Sequence, residues 1–247
     1  MNSKKFWNNI FSDDEMGHYK TIEYNLIDTP DLEDPILTKA LSHFGIVKNK
    51  TILDLGCGRA SSSIFFAYHG ANVISIDFSE NAVNNLKNYC KSNGINNIKP
   101  IVLNANEINT IDKVDFVFGS MILHHIEPFD IFSDILRQSI KDDGRAFFLE
   151  NNARSSLIMW FRKHLVGKLW IPKYGDPDEH PLTLDEINEL KKYFKLKIET
   201  PEFYYFRLIS IYLLRGYFRK QFTLIDQFFY KFHRLHKYSF RQYIYLS

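Results

Sequence analysis

Short apolar runs alternate with longer segments of helical period through the middle of this chain. Thr51–Leu55 (TILDL), Asn72–Ile76 (NVISI), Ile98–Leu103, Val114–Phe118 (VDFVF) and Ala146–Leu149 (AFFL) are short and rich in β-branched and aromatic residues, which predicts five strands. Helices are predicted over Ala60–His69, over Ser79–Asn93 with Ser79 as its cap, and around Pro128–Ile140. Pro35–Phe44 precedes the first strand and reads as a helix with proline in its first turn. Gly144 is expected to close the turn before the fifth strand. Strand and helix alternate over roughly a hundred residues, which predicts a doubly wound α/β fold, a parallel sheet covered by helices on both faces.

The regularity fails at both ends. Residues 1–34 are polar and aromatic with no clean period. Residues 151–181 carry Trp160 and Trp170 and end in a stretch rich in Pro, Gly and Asp. Thr183–Phe194 then reads as a helix, with Thr183 and Glu186 spaced for a capping box. Leu196–Phe206 is expected to be a sixth strand, residues 207–240 two helices, and Gln242–Leu246 a last strand. The expected organisation is an N-terminal cap segment (1–34), an α/β core (35–150), a cap insertion (151–182), and a C-terminal part of the core (183–247) interrupted by an aromatic, basic helical insertion at 207–240.

Composition narrows the class. The overall net charge of +2 is too small for a dedicated nucleic-acid binder. Two cysteines, Cys57 and Cys90, build no disulfide framework, and no Cys/His cluster has zinc spacing, so no metal is expected. The opening MNSKKFWNNIFSDDEMG has no apolar core run, which argues against a secretory signal, and no apolar stretch reaches the ~18 residues of a membrane span. A cytoplasmic protein is expected.

The most informative string is the loop after the first strand, Asp54-Leu55-Gly56-Cys57-Gly58. A glycine turn after a buried strand lets backbone N–H groups approach a ligand without interference from Cβ. Asp77 ends the second strand 19 residues beyond Gly58, where a carboxylate can accept from both hydroxyls of a ribose. A dinucleotide would want G-x-G-x-x-G, and here the third glycine is replaced by Ser61. Asp54 would also sit close to a pyrophosphate. A nucleoside ligand with a cationic part and no phosphate removes that objection.

The string DLGCG, the strand end IDFS and the LHHI after the fourth strand resemble the class I S-adenosylmethionine (SAM)-dependent methyltransferases, nearest to the small-molecule group. The resemblance covers about residues 45–150 strongly and 183–246 weakly. It implies a Rossmann-like seven-stranded sheet with the last strand antiparallel and a helical cap, with SAM as cofactor and S-adenosylhomocysteine as product. It places Asp54, Gly56 and Gly58, with Cys57 between them, at the methionine end. Asp77 becomes the ribose-binding acid, Phe78 lies beside the adenine, and Ser120 lines the methionine moiety. Where the family often has Gly-Asp-Ala after the third strand, this chain has Leu103-Asn104-Ala105. The Asn104 carbonyl can still accept from the adenine amino group.

Candidates for the chemistry follow from position, because ligands in such a sheet bind beyond the carboxyl ends of the strands. His124 and His125 follow the fourth strand, and Glu150 with Asn151 and Asn152 follows the fifth. Adjacent histidines point in different directions, so at most one faces the acceptor directly. Neutral imidazole suits a general base near pH 7. Glu150 is a candidate to orient that base or bind an acceptor hydroxyl. His180, closing the long segment after the fifth strand, is a further candidate base or acceptor contact, and Tyr19 a candidate cover for the cofactor. O-methylation of a small-molecule or sugar- or lipid-linked acceptor is the leading expectation. C- or N-methylation and non-catalytic SAM binding are the alternatives.

The charge is polarised. From Arg207 to Ser247 there are eight Lys/Arg and one acid, Asp226, a local charge of +7 that leaves −5 on the rest of the chain. Aromatic residues crowd the same segment. Three readings stand: a lid over an anionic or apolar acceptor, a peripheral contact with the inner membrane face, and a subunit face. Nucleic acid is disfavoured, since no nucleic-acid motif accompanies these residues.

Overall fold

The computed structural model describes residues 3–12, 27, 30–168, 171 and 180–247. Its strands are β1 (Thr51–Leu55), β2 (Asn72–Asp77), β3 (Ile98–Val102), β4 (Val114–Ser120), β5 (Ile140–Asn151), β6 (Leu196–Glu199) and β7 (Arg241–Leu246). They form one seven-stranded sheet in the order β3-β2-β1-β4-β5-β7-β6, with β7 antiparallel to both of its neighbours and the remaining pairs parallel. The order reverses between β1 and β4, so the carboxyl ends of those strands open a crevice.

Alternation along each strand sends side chains into two separate cores. Leu53, Leu55, Val117 and Phe148 join a core with α5 (Phe129–Ser139) and α7 (Leu184–Tyr193). Ile52, Phe116, Phe118 and Phe147 join the other, with α2 (Pro35–Phe44), α3 (Ser61–Tyr68) and α4 (Glu80–Asn93). Local chemistry sets the helix ends. Asp34 Oδ1 accepts from the N–H groups of Ile36 (2.7 Å) and Leu37 (3.0 Å) ahead of Pro35. Ser79 Oγ accepts from Ala82 N–H, and Thr183 and Glu186 close a reciprocal capping box.

Three expectations need correction. The stretch without a clean period contains a helix, α1 (Ser3–Ile10), whose Trp7 stacks on Phe11 at i, i+4 spacing. The fifth strand begins at Ile140, six residues early. Gly144 lies inside it, where a Cβ would come within 2.4 Å of Ile140 Cγ2 and 2.7 Å of the Asp115 carbonyl. The sixth strand stops at Glu199 and does not reach Phe206. Pro201 has no N–H for the ladder, and the next N–H groups turn elsewhere: Tyr204 donates to Ser239 Oγ (3.0 Å), and Tyr205, Phe206 and Arg207 donate to Asp226. Residues after β5 form α6 (Ser156–His164), capped by Ser155, as part of the expected helical cap.

The insertion at 207–240 forms α8 (Phe206–Leu213), α9 (Arg219–Tyr230) and a short 3-10 segment over His233–Tyr238. Phe161 of α6 meets Tyr212 of α8, so this insertion and the one after β5 make one cap. Among the described residues no helix is long and apolar enough to cross a membrane. Tyr19 and Trp170 lie outside the described residues.

Candidate active site

A cavity of about 620 Å³ opens beyond the carboxyl ends of β1 to β4. Leu55 and Gly56 come from the first loop, Ile76, Asp77 and Phe78 from the end of β2, Val102 to Glu107 from the end of β3, and Ile122 and His125 to Glu127 from the segment after β4. Apart from Lys4 of α1, each contribution is a strand end or the loop that follows it, which is why residues far apart in sequence meet here.

The first loop is shaped by its lack of side chains. Gly56 has φ +69°, and a Cβ there would lie 2.7 Å from Ile122 Cδ1 and 2.8 Å from Ile122 Cγ1. Beneath the loop sit two buried carboxylates. Asp77 Oδ2 accepts from Gly58 N–H (3.0 Å) and Oδ1 from Ser79 N–H (2.8 Å), which ties the loop to the end of β2. Burial raises the Asp77 carboxyl above its ordinary value, against the pull of those backbone N–H groups. Asp54 accepts from Ser62 Oγ (2.7 Å) and Ser63 Oγ, and burial pushes its carboxyl up to about 6 despite both bonds. Burial, and then the neighbouring Asp77 and Asp54, push the Cys57 thiol well up, so it is a packed, unreactive group.

The expected site residues therefore divide. Gly56, Asp77, Phe78, Asn104, Ala105 and His125 share the cavity wall. Asp54, Cys57 and Gly58 lie behind it; Asp54 braces α3 through the two serines, and Gly58 anchors to Asp77. Asn104 Oδ1 accepts from Asn106 N–H (2.9 Å), which fixes the turn after β3, and an amide oxygen has a second lone pair to offer. Ser120 is exposed and off the wall, the last residue of β4, in register with Leu149.

The two histidines are sorted by burial. His124 is buried, with Nδ1 2.5 Å from Glu150 Oε2. Glu150 Oε1 accepts from the N–H groups of Ile122 (2.9 Å) and Leu123 (2.7 Å). Glu150 Oε1 is thus taken by two backbone donors, which leaves Oε2 to the His124 ring. Glu150 and His124 hold the turn that presents His125, which is half-buried at the cavity wall. His180 reaches the rim, its Nε2 3.8 Å from Glu127 Oε1. Glu127, His180 and Glu186 can bring ligand-type atoms within 4.8 Å of one another, but Glu186 Oε2 is engaged by Thr183 in the capping box.

Sequence reasoning missed α1. It lies against the start of α4: Ser79 Oγ donates to Asn8 Oδ1 (2.8 Å), Asn81 Nδ2 to the Asn8 carbonyl (2.8 Å) and Asn85 Nδ2 to the Phe11 carbonyl (3.0 Å). Lys4 lines the cavity and the Trp7 ring stands edge-on to His125 at 5.5 Å. The i, i+4 spacing of Trp7 and Phe11 was the available signal.

This cavity suits a nucleoside with a cationic arm. Gly56 leaves no space for a Cβ, Asp77 offers unused lone pairs to ribose hydroxyls, and the two carboxylates under the loop oppose a pyrophosphate. Residues 46–170 match the family described as methyltransferase domain. The chain belongs to this family of SAM-dependent class I methyltransferases, and SAM is the cofactor. A relative in Rickettsia canadensis named ubiquinone biosynthesis O-methyltransferase is 28% identical over 158 residues, covering 63% of this chain and 66% of that protein. The match thus spans just under two-thirds of that relative's length. The (S)-coclaurine N-methyltransferase of Papaver somniferum is 22% identical over 131 residues, 52% of this chain and 37% of that one. Among solved structures, geranyl diphosphate C-methyltransferase from Streptomyces coelicolor A3(2) superposes with a TM-score of 0.61 at 16% identity, over 99% of this chain and 95% of that one. Those three names put the methyl on oxygen, nitrogen and carbon respectively.

Proposed function

We propose that this methyltransferase moves a methyl group from SAM to a hydroxyl oxygen of a small acceptor with an apolar body, and that His125 is the general base. When bound, SAM supplies a methyl group on a sulfonium, open to in-line attack. The chain contributes alignment, exclusion of water and removal of the acceptor proton. Asp77 and the Gly56 turn hold the nucleoside, α1 covers it from the side of α4, and the His124–Glu150 pair fixes the turn that carries the base. The observation that carries this reading is the sorting of the histidines: one is buried in a carboxylate pair, and its neighbour stands on the cavity wall.

The apolar body of the acceptor is supported by a groove of about 190 Å³ between α6 and α8, lined by Leu157, Ile158, Phe161, Leu208, Ile209 and Tyr212, with Arg162 at its side. It lies at the same end of the sheet as the cavity, since α6 begins five residues after β5 ends and Phe240 precedes β7. A lipid- or sugar-linked acceptor with an anionic group fits a groove of this kind.

The test uses methyl-labelled SAM with parallel sets of phenols, alcohols and amines of increasing alkyl length. Label on oxygen, rising with alkyl length, is expected. His125→Ala should lower kcat roughly 100-fold or more, while S-adenosylhomocysteine binding stays within a few-fold. Label on nitrogen only, unaffected by His125→Ala, would replace this reading with N-methylation.

A further inference from the structure

We propose that the outer face of α9 and the tip joining it to α8 dock on an anionic lipid bilayer. The inner face of α9 is fully used: Phe229 stacks on Phe206 and packs near Phe203, and Asp226 is buried beneath the start of α8. The outer face is the reverse of what water favours. Leu224 and Phe228, one helical turn apart, are 65% and 55% exposed, and Phe232 continues the same row at 50%. At the tip, Tyr217 and Phe218 are 72% and 62% exposed. A contiguous apolar row on a helix facing outward marks an interaction surface rather than scattered exposure.

The charges around that row say what covers it. Arg215, Arg219, Lys220, Lys231, Arg234 and Lys237 are all exposed. Among the described residues none of the six is paired with a carboxylate. The one acid of the segment, Asp226, faces inward and is held by Arg207. The result is an amphipathic helix with an apolar row flanked by cations and neutral polar residues and by no outward-facing acid, the pattern of a helix lying in the headgroup layer. Each such cation is attracted to an anionic leaflet, and the apolar row is stabilised on leaving water. A two-fold contact with a second copy would set these six cations against themselves. A nucleic acid would pair with the cations but leave Leu224 and the tip without a role. Docked this way, the cap would bring its α6–α8 groove to the membrane surface.

The test is flotation of the full-length protein with vesicles of phosphatidylcholine alone or mixed with phosphatidylglycerol. Binding to the anionic vesicles, at least roughly tenfold above the neutral ones and weakened by salt, is expected. Leu224→Ser/Phe228→Ser and Tyr217→Ser/Phe218→Ser should each reduce it about tenfold, and Lys220→Glu/Lys231→Glu should remove its salt dependence. Unchanged S-adenosylhomocysteine affinity and circular dichroism verify that these variants fold. Wild-type protein that ignores anionic vesicles at low salt, or variants that bind them as wild type does, would overturn the proposal. So would a concentration-dependent dimer broken by the same substitutions, or binding to single-stranded nucleic acid that these vesicles fail to displace.

Discussion

The cofactor end of the sheet and the helical cap solve the same problem with different materials. At the cofactor end, shape comes from backbone: a turn at positive φ, two buried carboxylates tied to loop N–H groups and to serine hydroxyls, and glycine where a methyl group would collide. In the cap, shape comes from side chains: stacked rings around Phe203, Phe206 and Phe229, the Arg207 guanidinium over the Tyr204 ring at 4.2 Å, and one buried acid, Asp226, serving the first three N–H groups of the α8 turn. Backbone-built sites tolerate little change in the residues that face the ligand. Side-chain-built ones can be re-clothed on their outer surface, and so the cap is where acceptor choice and surface contacts can vary while the cofactor site stays constant.

If the two ends are separable, Asp226→Ala should give the largest effect and confine it to the cap. It strands three backbone N–H groups and removes one of the two carboxylate partners of Arg207, the other being Glu202, at a cost of about 3–5 kcal/mol. Urea unfolding should register that loss, and calorimetry should find S-adenosylhomocysteine affinity within about threefold of wild type, as for distant independent sites. A parallel fall in affinity would join the two ends into one unit.

Gly56→Ala should do the converse. A Cβ at 2.7 Å from Ile122 on a backbone at φ +69° forces the loop to move, worth about 3 kcal/mol or two orders of magnitude in S-adenosylhomocysteine affinity by calorimetry. Vesicle flotation and the cap's stability should be unmoved.

The buried carboxylate of the cofactor end gives a pH signature that the cap lacks. The Asp54 carboxyl is raised to about 6 from 3.8, so the folded protein holds its proton more tightly than the unfolded chain does. Its contribution is therefore full below about pH 4 and is lost as pH rises through about 6, an amount on the order of 2–3 kcal/mol. Asp54→Asn, which keeps an oxygen for Ser62 and Ser63, should flatten this slope. The stability difference between the Asp54→Asn variant and the wild-type protein, measured by urea at pH 4 and pH 7, should shift by that amount in favour of the variant at pH 7. Equal differences at both pH values would show that Asp54 does not titrate in this window.

The smallest expected effect probes the contact of α1 with the cavity. Trp7→Ala removes the ring that stands against His125 and packs on Phe11, about 1 kcal/mol, which should weaken S-adenosylhomocysteine binding about fivefold. No change at all would reduce α1 to a structural prop.

Much of this molecule can be read without coordinates, and what can be read shares one property. The strands β1, β2 and β4, the capped helices α2, α4 and α7, and the loop 54–58 are each specified by residues within a few positions of one another: an apolar run, a Ser or Asp cap, a proline at the first turn, paired glycines. Local backbone preference and burial period decide them, so their sequence was enough. What the sequence alone left open is what depends on distant partners. That β6 ends at Glu199 is due to Asp226 and Ser239, some twenty residues or more further on, taking the N–H groups that a longer strand would have used. His124 and His125 are the same residue type in adjacent positions, and only Glu150 at the end of β5 separates a buried brace from a residue on the cavity wall. Whether the basic, aromatic tail faces in or out was likewise undecidable from composition. The packing of α8 on α9 buried Asp226 and Phe229 and left Leu224, Phe228 and the cations outside, because one helix face can satisfy only one neighbour.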